Sequence, residues 1–292
     1  MERVLLFGGS GILGTEVLRI LHNKKIDYVA PRSSDVDIRN RDLVSDFAQD
    51  FKPTWIINCA AWTNVDGAET SYEEARNLNE VGVENIAIAA DALGCKVIHI
   101  STDYVFDGES ETPYQENSLA HPINKYGESK LRGEEALLEV LPRSFVIRTS
   151  WLYGVSGKNF VKTIAGKALR NEPARVVGDQ IGSPTSAKDL AAGIFSIMRI
   201  QPAPGIYNFS NEGSCSWFEL ARTVYKNVGA DPELVEAIDS NSLNLKARRP
   251  KFSLLNKDKW KVAHLSLVPE WHSSLESVLP EIVTELKQLG EI

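Results

Sequence analysis

Residues 3–14 read RVLLFGGSGILG, and this stretch decides the fold. Its apolar start predicts a buried strand, and the overlapping segment GTEVLRILHNK has apolar residues at helical spacing. Gly8, Gly11 and Gly14 lie between strand and helix. Gly8 can supply a tight turn, Gly11 can let the backbone approach a pyrophosphate, and Gly14 can let the helix pack closely on the sheet. A glycine triplet alone also fits a plain turn, but the order strand, turn, helix favours a dinucleotide-binding turn.

The alternation of strand and helix continues through the first half of the chain. Further predicted strands are DYVAP, PTWIINCAA, KVIHISTDYVF and SFVIRTSWLYG. Predicted helices are NRDLVSDFAQDF after an N-cap at Asn40, YEEARNLNEVGVENIAIAADALG ending at Gly94, and YGESKLRGEEALLEVL. Buried strands that alternate with helices predict an α/β fold with a Rossmann-type, doubly wound parallel sheet.

The pattern becomes less regular after about residue 150. The segment DQIGSPTSAKDLAAGIFSIMRI predicts a loop and a helix, GIYNFS a strand, SWFELARTVYKNVG a helix N-capped by Ser216, and SLESVLPEIVTELKQLG a last helix. We therefore predict an NAD(P)-binding Rossmann domain over residues 1–150 with a return segment around 185–205. A smaller, less regular C-terminal substrate lobe would comprise residues 151–184 and 206–292.

Composition excludes several classes of function. The 292 residues are 43% apolar and 24% charged, as in an ordinary globular protein, and the net charge of −7 argues against nucleic-acid or membrane-surface binding. No apolar run approaches the roughly 20 residues of a membrane span, and the N-terminus lacks a signal peptide, so we expect a cytoplasmic protein. Cys59, Cys95 and Cys215 lack CxxC spacing and indicate reduced thiols. We see no cluster of His and Cys ligands for a metal.

A catalytic group is indicated by two further motifs. YGESK places Tyr126 and Lys130 four residues apart on one helix face. A phenol has an ordinary pKa of about 10, and a nearby ammonium would lower it towards the working pH. In HISTDYVFDG, Ser101 and Thr102 end a buried strand, where a hydroxyl can bind a substrate oxygen. The alternatives, two exposed helix residues and a hydroxyl that bonds its own loop, are weakened because all these motifs occur together.

The order GxxGxxG, STD, YxxxK resembles the extended short-chain dehydrogenase/reductase superfamily. Within it, NCAAWTNVDGAE, NLNEVGVENIA, STDYVFDG, INKYGESKLRGE, RTSWLYG, KNFVKT, DQIGSPT and RRPKFS are similar to the dTDP-4-dehydrorhamnose reductase family, over nearly the whole chain. The resemblance implies NAD(P)H-dependent reduction of the C4 ketone of dTDP-4-dehydro-6-deoxy-L-mannose to dTDP-L-rhamnose, a precursor of surface polysaccharides. It implies a sugar-nucleotide substrate for the C-terminal lobe, and it also allows a homodimer.

Other functions of the superfamily remain alternatives. The chain could be another nucleotide-sugar 4-ketoreductase or an epimerase, or a catalytically silent NADP-binding regulatory subunit. A silent subunit is disfavoured because Tyr126 and Lys130 are both present. A 4,6-dehydratase would need a further acid after the threonine and aspartate, and Tyr104 stands at that position.

The resemblance also assigns roles to individual residues. The implied catalytic residues are Thr102, Tyr126 and Lys130. The implied cofactor-binding residues are Gly8, Gly11, Ile12, Leu13 and Gly14 at the pyrophosphate, Asp37 and Ile38 near the adenine, Ala60, Ala61, Trp62 and Thr63 along the cofactor, and Tyr126 and Lys130. The implied substrate-binding residues are Thr102, Asp103 and Trp151. Trp151 could instead be a core aromatic residue, and Asn79, which matches a family position, could instead join two helices.

Cofactor preference and metal binding depend on single positions. The second predicted strand ends in PRSS, without the carboxylate that selects NAD, so Arg32 can bind a 2′-phosphate unless Asp35 or Asp37 pairs with it. We therefore expect NADPH, with NADH also used. Some members of the family hold magnesium with acidic side chains at a dimer contact. Glu16 fits one ligand position, but Lys188 stands where another acid would be needed, so we expect no metal.

Overall fold

The computed structural model of the chain describes residues 2–292. Its strands are β1 Arg3–Phe7, β2 Asp27–Val29, β3 Trp55–Asn58, β4 Lys96–Thr102, β5 Phe145–Thr149, β6 Leu152–Tyr153, β7 Ala174–Val177, β8 Ile181–Gly182, β9 Thr185–Ser186, β10 Gly205–Asn208, β11 Cys215–Ser216 and β12 Val235–Ile238. Its α-helices are α1 Ile12–Asn23, α2 Arg41–Phe51, α3 Val65–Ala68, α4 Tyr72–Arg76, α5 Gly82–Leu93, α6 Lys125–Val140, α7 Phe160–Leu169, α8 Ala187–Ile200, α9 Trp217–Asn227, α10 Asp258–Val262 and α11 Trp271–Gln288.

The main sheet has six strands in the order β2-β1-β3-β4-β5-β10, and all neighbouring strands are parallel. This confirms the predicted α/β class. The chain leaves β1 for β2 on one side and then returns to place β3 on the other side of β1. The sheet order therefore reverses between β1 and β3, and the crevice at the carboxyl ends of these two strands is where sheets of this kind bind ligands.

Both faces of the sheet are covered by helices. Leu5 and Ile56 pack into a core with α2, α5 and α6, whereas their neighbours Leu6 and Ile57 pack into a second core with α1 and α8. Consecutive strand residues point to opposite faces, so a strand that is apolar at every position has to be covered on both sides. Burying each such side chain stabilises the fold by roughly 1.5–3 kcal/mol.

A third core lies outside the main sheet and joins α7, α9 and α11 to the small parallel pair β7–β12. Helix α9 begins at the predicted N-cap: the Ser216 hydroxyl accepts a hydrogen bond from Glu219 N at 3.1 Å, and the Glu219 carboxylate accepts one from Ser216 N at 2.7 Å. The N-cap predicted at Asn40 is also confirmed, because its Oδ1 accepts from Asp42 N and Leu43 N.

Our boundary for the C-terminal lobe needs a correction. Strand β10 pairs with β5 as the sixth strand of the main sheet, and Trp260 of α10 packs on Tyr207 and Phe209 in the core beneath α8. Assigning all of residues 206–292 to the lobe is therefore wrong at these segments. The sheet needs β10 because β5, which is apolar on both faces, would otherwise expose an unpaired edge.

The long helix predicted before Gly94 is confirmed from Tyr72 to Leu93, and it contains a π-helical segment. The turns of α4 and α5 are separated by a π-helical segment at Asn77–Val81, and Gly94 ends α5 in the left-handed conformation with φ +67°. π-helical turns widen the helix and often mark functional sites. Here the wider turn directs the fully buried Asn79 towards α6.

Two features bear on the expected class of protein. Within residues 2–292, no helix is both long and apolar enough to cross a membrane. The three cysteines are free, and two of them, Cys95 and Cys215, are buried in the cores.

Candidate active site

The glycine turn joins β1 to α1 and packs against the loop after β3, the neighbouring strand at which the sheet order reverses. Gly8 has φ +77°, and a Cβ at this position would lie 2.5 Å from Ala60 N in the loop after β3. A Cβ on Gly14 would lie 2.1 Å from Gly8 O, so glycine at this position lets the start of α1 pack closely on the turn after β1, while the rest of α1 packs on the sheet. Gly11 precedes α1 and faces open space apart from Gly8 O at 3.4 Å. Its open side leaves room for a ligand beside the helix N-terminus.

A cavity of about 590 Å³ opens at this point. The sequence-predicted residues that line it are Gly11, Ile12, Leu13, Gly14, Ala61, Thr63, Thr102, Asp103, Tyr126, Lys130 and Trp151. The residues that sequence reasoning missed are Val65, Tyr104, Leu152, Lys158, Asn159, Phe160 and Trp217, among others. Trp217 directly follows the correctly predicted N-cap of α9, but nothing local in its sequence indicates which residue it faces. The cavity is large enough for a sizeable ligand.

The other predicted cofactor residues lie outside this cavity. They are Gly8, Arg32, Asp37, Ile38, Ala60 and Trp62. Ile38 is buried in the core, where it fills the space above Gly82. The Asp37 carboxylate accepts hydrogen bonds from Arg39 at 2.6–3.0 Å, and this pairing holds the pKa of Asp37 below its usual range. Arg32 is exposed after β2, and among the described residues its guanidinium forms no ion pair.

Asn79 has the helix-joining role that the sequence left open. Its Oδ1 accepts from Trp62 N at 2.8 Å, and its Nδ2 donates to Trp62 O at 3.1 Å and to Ser129 Oγ at 2.9 Å. The Ser129 hydroxyl donates in turn to Tyr126 O at 2.7 Å. One buried amide therefore connects the loop after β3 to the helix that carries Tyr126.

Helix α6 brings Tyr126 against the end of β4. Asn124 caps the helix, since its Oδ1 accepts from Gly127 N at 2.8 Å. A Cβ on Gly127 would lie 2.1 Å from Tyr104 O, so glycine allows the helix to approach the turn after β4 closely. The rings of Tyr104 and Tyr126 meet edge to face with centroids 5.6 Å apart. Tyr126 and Thr102, distant in sequence, are therefore neighbours in the cavity.

The electrostatics of Tyr126 differ from our expectation. Burial raises the pKa of Tyr126 to about 12, and a hydrogen bond with Thr102 opposes this rise. The predicted lowering by Lys130 is wrong for this arrangement. The Lys130 side chain is 2% exposed, and its Nζ donates to Ile100 O at 2.7 Å instead of to the phenol. Burial lowers the pKa of Lys130 to about 8.

The two hydroxyls at the end of β4 have different partners. The Ser101 hydroxyl donates to Glu134, which is paired with the buried Arg148, so Ser101 is held inside the protein. The Thr102 hydroxyl accepts from Tyr104 N at 3.2 Å and donates to Asp103 Oδ1 at 3.1 Å. Of the two hydroxyls, Thr102 is the one beside Tyr126.

Asp103 is a buried carboxyl beside the catalytic group. It is 2% exposed, and its Oδ2 has no hydrogen-bond partner within residues 2–292. Burial is the main cause that raises the pKa of Asp103 to about 6, against hydrogen bonds with Ser253 and Thr102 that lower it. A buried polar atom without a partner is costly, and such atoms are common where a ligand completes the bonding.

Trp151 lines the cavity and also packs against the third core. Its backbone φ of +47° lies in the left-handed region, which residues other than glycine rarely adopt. Its indole stacks on Trp217 with ring centroids 3.7 Å apart. The opposite side of the indole meets Gly182, where a Cβ would lie 2.5 Å from Trp151 Cε2. Backbone strain of this kind is commonly found at ligand sites.

The residues around Glu16 do not fit a divalent cation. Glu16 is 5% exposed and accepts from Arg19 at 3.0 Å, and Glu281 lies between Arg19 at 3.4 Å and Lys188 at 4.0 Å. The charges of Arg19 and Lys188 therefore already balance those of the two carboxylates. Within the part of the chain that the structure describes, no group of three or more His, Cys, Asp or Glu side chains could hold a metal ion.

Comparison with known proteins identifies the family. Residues 1–284 match the family model described as the RmlD substrate binding domain. The dTDP-4-dehydrorhamnose reductase of Escherichia coli K12 is 35% identical over 293 residues, which cover 96% of this chain and 98% of that protein. The chain belongs to the dTDP-4-dehydrorhamnose reductase family.

Other relatives extend this result. A protein of Streptomyces niveus named dTDP-4-keto-6-deoxy-D-glucose reductase is 35% identical over 280 residues, 96% of this chain and 97% of its own length. The crystal structure of dTDP-4-dehydrorhamnose reductase from Bacillus anthracis in complex with NADP is 37% identical, with a TM-score of 0.92 over 96% of this chain and 99% of that one. The chain thus shares its fold with the dTDP-4-dehydrorhamnose reductase family, and it is an oxidoreductase.

Proposed function

We propose that the chain reduces the C4 ketone of dTDP-4-dehydro-6-deoxy-L-mannose (dTDP-4-dehydro-L-rhamnose) to dTDP-L-rhamnose for surface polysaccharide synthesis. The observation that carries this proposal is the meeting of Tyr126 and Thr102 in one cavity with the glycine turn of α1. A reductase needs an acid, a group that holds the ketone oxygen and a site for the hydride donor, and the cavity offers all three side by side.

The reaction adds one hydride and one proton to a carbonyl group. When NADPH is bound, it supplies the hydride to C4. The Thr102 hydroxyl would turn its hydrogen from Asp103 to the ketone oxygen, and Tyr126 donates its phenolic proton to the alkoxide that forms there. Tyr126 is left as a phenolate and is reprotonated from solvent. A pKa of about 12 keeps the phenol protonated before the reaction, which a proton donor requires.

The residues around the cavity fit a dinucleotide. Gly8 lets the turn pack against the backbone at Ala60, where a Cβ would clash, and Gly11 leaves open space at the N-terminus of α1, where free N–H groups favour a phosphate. Lys130 would bind the ribose next to the nicotinamide. Arg32, exposed and without an ion-pair partner in the described chain, would bind the 2′-phosphate, so we propose NADPH as the preferred cofactor with NADH also accepted.

The remaining walls of the cavity would bind the sugar nucleotide. Asp103 has an oxygen without a partner in the described structure that can accept a hydrogen bond from a sugar hydroxyl. The stacked pair Trp151 and Trp217 lines the cavity and offers apolar surface to the sugar nucleotide. Tyr104 stands where a dehydratase would need an acid, and burial holds its pKa above the ordinary value. These features support reduction rather than dehydration.

The decisive experiment is NADPH oxidation with the 4-keto sugar nucleotide as substrate. Purified protein, NADPH and dTDP-4-dehydro-L-rhamnose should give one dTDP-L-rhamnose for each NADPH consumed, with the configuration at C4 read by proton NMR. A protein that binds NADPH but oxidises none of it with this substrate would be a silent binding subunit, and the proposal would fail.

A second candidate is supported by the Streptomyces niveus relative, which covers the chain to the same extent as the rhamnose reductases. In that case the substrate would be dTDP-4-keto-6-deoxy-D-glucose, which differs in ring stereochemistry and not in the group that is reduced. Offering both 4-keto sugars under the same conditions and comparing kcat/KM separates the two candidates.

A further inference from the structure

Lys130 lies at the end of a buried chain of hydrogen-bonding groups. Asn58, at the end of β3, and His99, on β4, are directly opposite each other in the parallel register and are 1% and 0% exposed. Asn58 Nδ2 lies 3.1 Å from His99 Nδ1, and His99 Nε2 lies 3.2 Å from Lys130 Nζ. At the other end, Asn58 Oδ1 accepts from Ala60 N at 3.0 Å. This series of hydrogen-bonding groups therefore runs from the loop beside the glycine turn to the implied catalytic lysine.

The donors and acceptors in this hydrogen-bonded series determine which ring nitrogen of His99 carries the hydrogen. The Ala60 N–H can only donate, so the Asn58 carbonyl oxygen has to face it, and the Asn58 NH₂ group then faces His99. Because NH₂ can only donate, His99 Nδ1 carries its lone pair. Burial and the charge of Lys130 hold the pKa of His99 well below its usual range, so the ring is neutral. Its hydrogen is consequently on Nε2, directed at Lys130.

We infer that Asn58 and His99 are positioning residues for Lys130, because together they present an N–H group to it rather than a lone pair. The inference rests on the proposed function, in which Lys130 serves the cofactor and Tyr126. An ammonium has three N–H donors, and Ile100 O accepts one of them. His99 accepts no hydrogen bond from the ammonium, so its other two N–H donors can bond to groups in the cavity.

The two charge states of Lys130 respond to His99 in opposite ways. The neutral amine can accept the Nε2–H bond and rest against β4 while it still donates to Ile100 O. The ammonium cannot accept it and is directed away from His99, towards Tyr126 and the cofactor side of the cavity. Asn58 and His99 thus couple the charge of Lys130 to its direction.

Other groups near Lys130 come from the end of β3 and from α6. Cys59 follows β3, and burial raises its pKa to about 12, so it faces the lysine as a neutral thiol. Glu134 follows one turn later on α6, and its charge is held by Arg148 at 2.6 Å. Tyr126 precedes by one turn and is a neutral phenol. Among these neighbours and His99, the imidazole is the group whose hydrogen can be moved by changing one remote side chain.

The variant Asn58→Asp tests the inference because it reverses the tautomer. One oxygen of the introduced carboxylate still accepts from Ala60 N, and the other accepts from His99 Nδ1, which moves the histidine lone pair to Nε2. Nitrogen NMR of histidine-labelled protein reads the tautomer directly, with the exposed His22, His121 and His264 as internal references. Carbon NMR of labelled lysine follows the titration of Lys130, assigned by its loss in Lys130→Arg.

We expect hydrogen on Nε2 of His99 in the unaltered protein and on Nδ1 in Asn58→Asp. The titration midpoint of Lys130 should rise by about one pH unit or more in the variant, since the ammonium gains an acceptor and a nearby negative charge. The alkaline limb of kcat/KM should move by the same amount. Asn85→Asp, a buried asparagine on α5 that bonds Ile38 O, is the matched control and should leave the His99 tautomer unchanged.

Hydrogen on Nδ1 in the unaltered protein would overturn the inference, as would a tautomer that Asn58→Asp does not change. The first of these results needs no variant, so the inference stays testable if Asn58→Asp does not fold. His99→Phe is a second variant: it removes the N–H donor that the neutral amine accepts, and the Lys130 midpoint should rise. If the tautomers are as inferred but no 4-keto sugar nucleotide is reduced, the positioning inference stands and the proposed reaction is wrong.

Discussion

Asn79 Nδ2 donates to Ser129 Oγ over 2.9 Å, and this bond joins the π-helical turn before α5 to the helix of Tyr126. The Ser129 hydroxyl in turn donates a hydrogen bond to the Tyr126 carbonyl oxygen at 2.7 Å. Tyr126 is therefore fixed through its backbone. Removing its hydroxyl should leave the ring in place, which makes a conservative variant informative about chemistry.

Tyr126→Phe should lower kcat by roughly 10²–10⁴-fold, because general acid catalysis is lost while the ring keeps its place. The dissociation constant for NADPH, measured by fluorescence titration, should change little. Tyr72→Phe is the matched control, since Tyr72 lies outside the cavity and donates its hydroxyl to Glu128 at 2.7 Å. Near-normal turnover by Tyr126→Phe would contradict the assignment of the proton donor.

The pH profile should show a single alkaline limb. The lowered pKa of Lys130, about 8, means that its ammonium is present below about pH 8 and lost as the pH rises above it. If the ammonium binds the cofactor, kcat/KM for NADPH should fall about tenfold per pH unit well above pH 8. Lys125→Met, which removes an ammonium from the same helix outside the cavity, should have the same profile. A profile that stays level to pH 9.5 would rule out this role.

Arg32→Ala should reduce the preference for NADPH. A charged hydrogen bond to the 2′-phosphate contributes roughly 1.5–3 kcal/mol, so the ratio of kcat/KM for NADPH to that for NADH should fall about 10- to 100-fold. Arg39→Ala is a sharp control because the Arg39 guanidinium is already bonded to Asp37. If Arg39→Ala lowers the ratio and Arg32→Ala does not, the phosphate is recognised by the other arginine.

Asp103→Asn should stabilise the free protein at high pH at the expense of substrate binding. The pKa of Asp103 is raised from 3.8 to about 6 in the folded state, so folding favours its protonated form and ionisation above pH 6 costs stability. The cost corresponds to roughly 3 kcal/mol at most. Melting temperatures of variant and parent should be similar near pH 4, diverge up to about pH 6 and then stay apart.

Asp107→Asn provides the control of opposite sign for this experiment. A hydrogen bond from Tyr114 at 2.6 Å lowers the pKa of Asp107, so its carboxylate stabilises the fold above its ordinary pKa. This variant should be the less stable one at neutral pH. If Asp103→Asn is also less stable than the parent protein at neutral pH, ionisation of Asp103 does not destabilise the folded protein.

Exhaustive chelation should leave turnover unchanged. Arg19 and Lys188 already neutralise Glu16 and Glu281, so a divalent cation would meet two positive charges at this position. Steady-state rates before and after EDTA treatment, with magnesium added back, test the point. Activity that disappears on chelation and returns with magnesium would contradict it.

The sequence predicted those features that depend on local spacing. The α/β sheet followed from apolar strands that alternate with helices, and the N-caps at Asn40 and Ser216 followed from residue type and position. The placement of Tyr126 and Lys130 in one cavity followed from a separation of four residues on a helix. Each of these inferences needs one or two neighbouring segments.

Features that depend on how distant segments meet could not be predicted. His99 reaches Lys130 because β3, β4 and α6 come together, and Ile100 O of β4, not the Tyr126 phenol, accepts from the lysine. Trp217 joins Trp151 across more than 60 residues of sequence, and β10 returns to the main sheet after a long excursion. Hydrophobic periodicity carries no information about such pairings.

The contact between Trp151 and Gly182 provides a way to redesign specificity. A methyl group at position 182 would overlap the indole, so Gly182→Ala has to displace Trp151, which lines the cavity. Gly182 has an ordinary negative φ, and the substitution therefore adds volume without straining its own backbone. Substrate range could thus be narrowed stepwise from behind the cavity wall, by choosing the size of one side chain that no ligand touches.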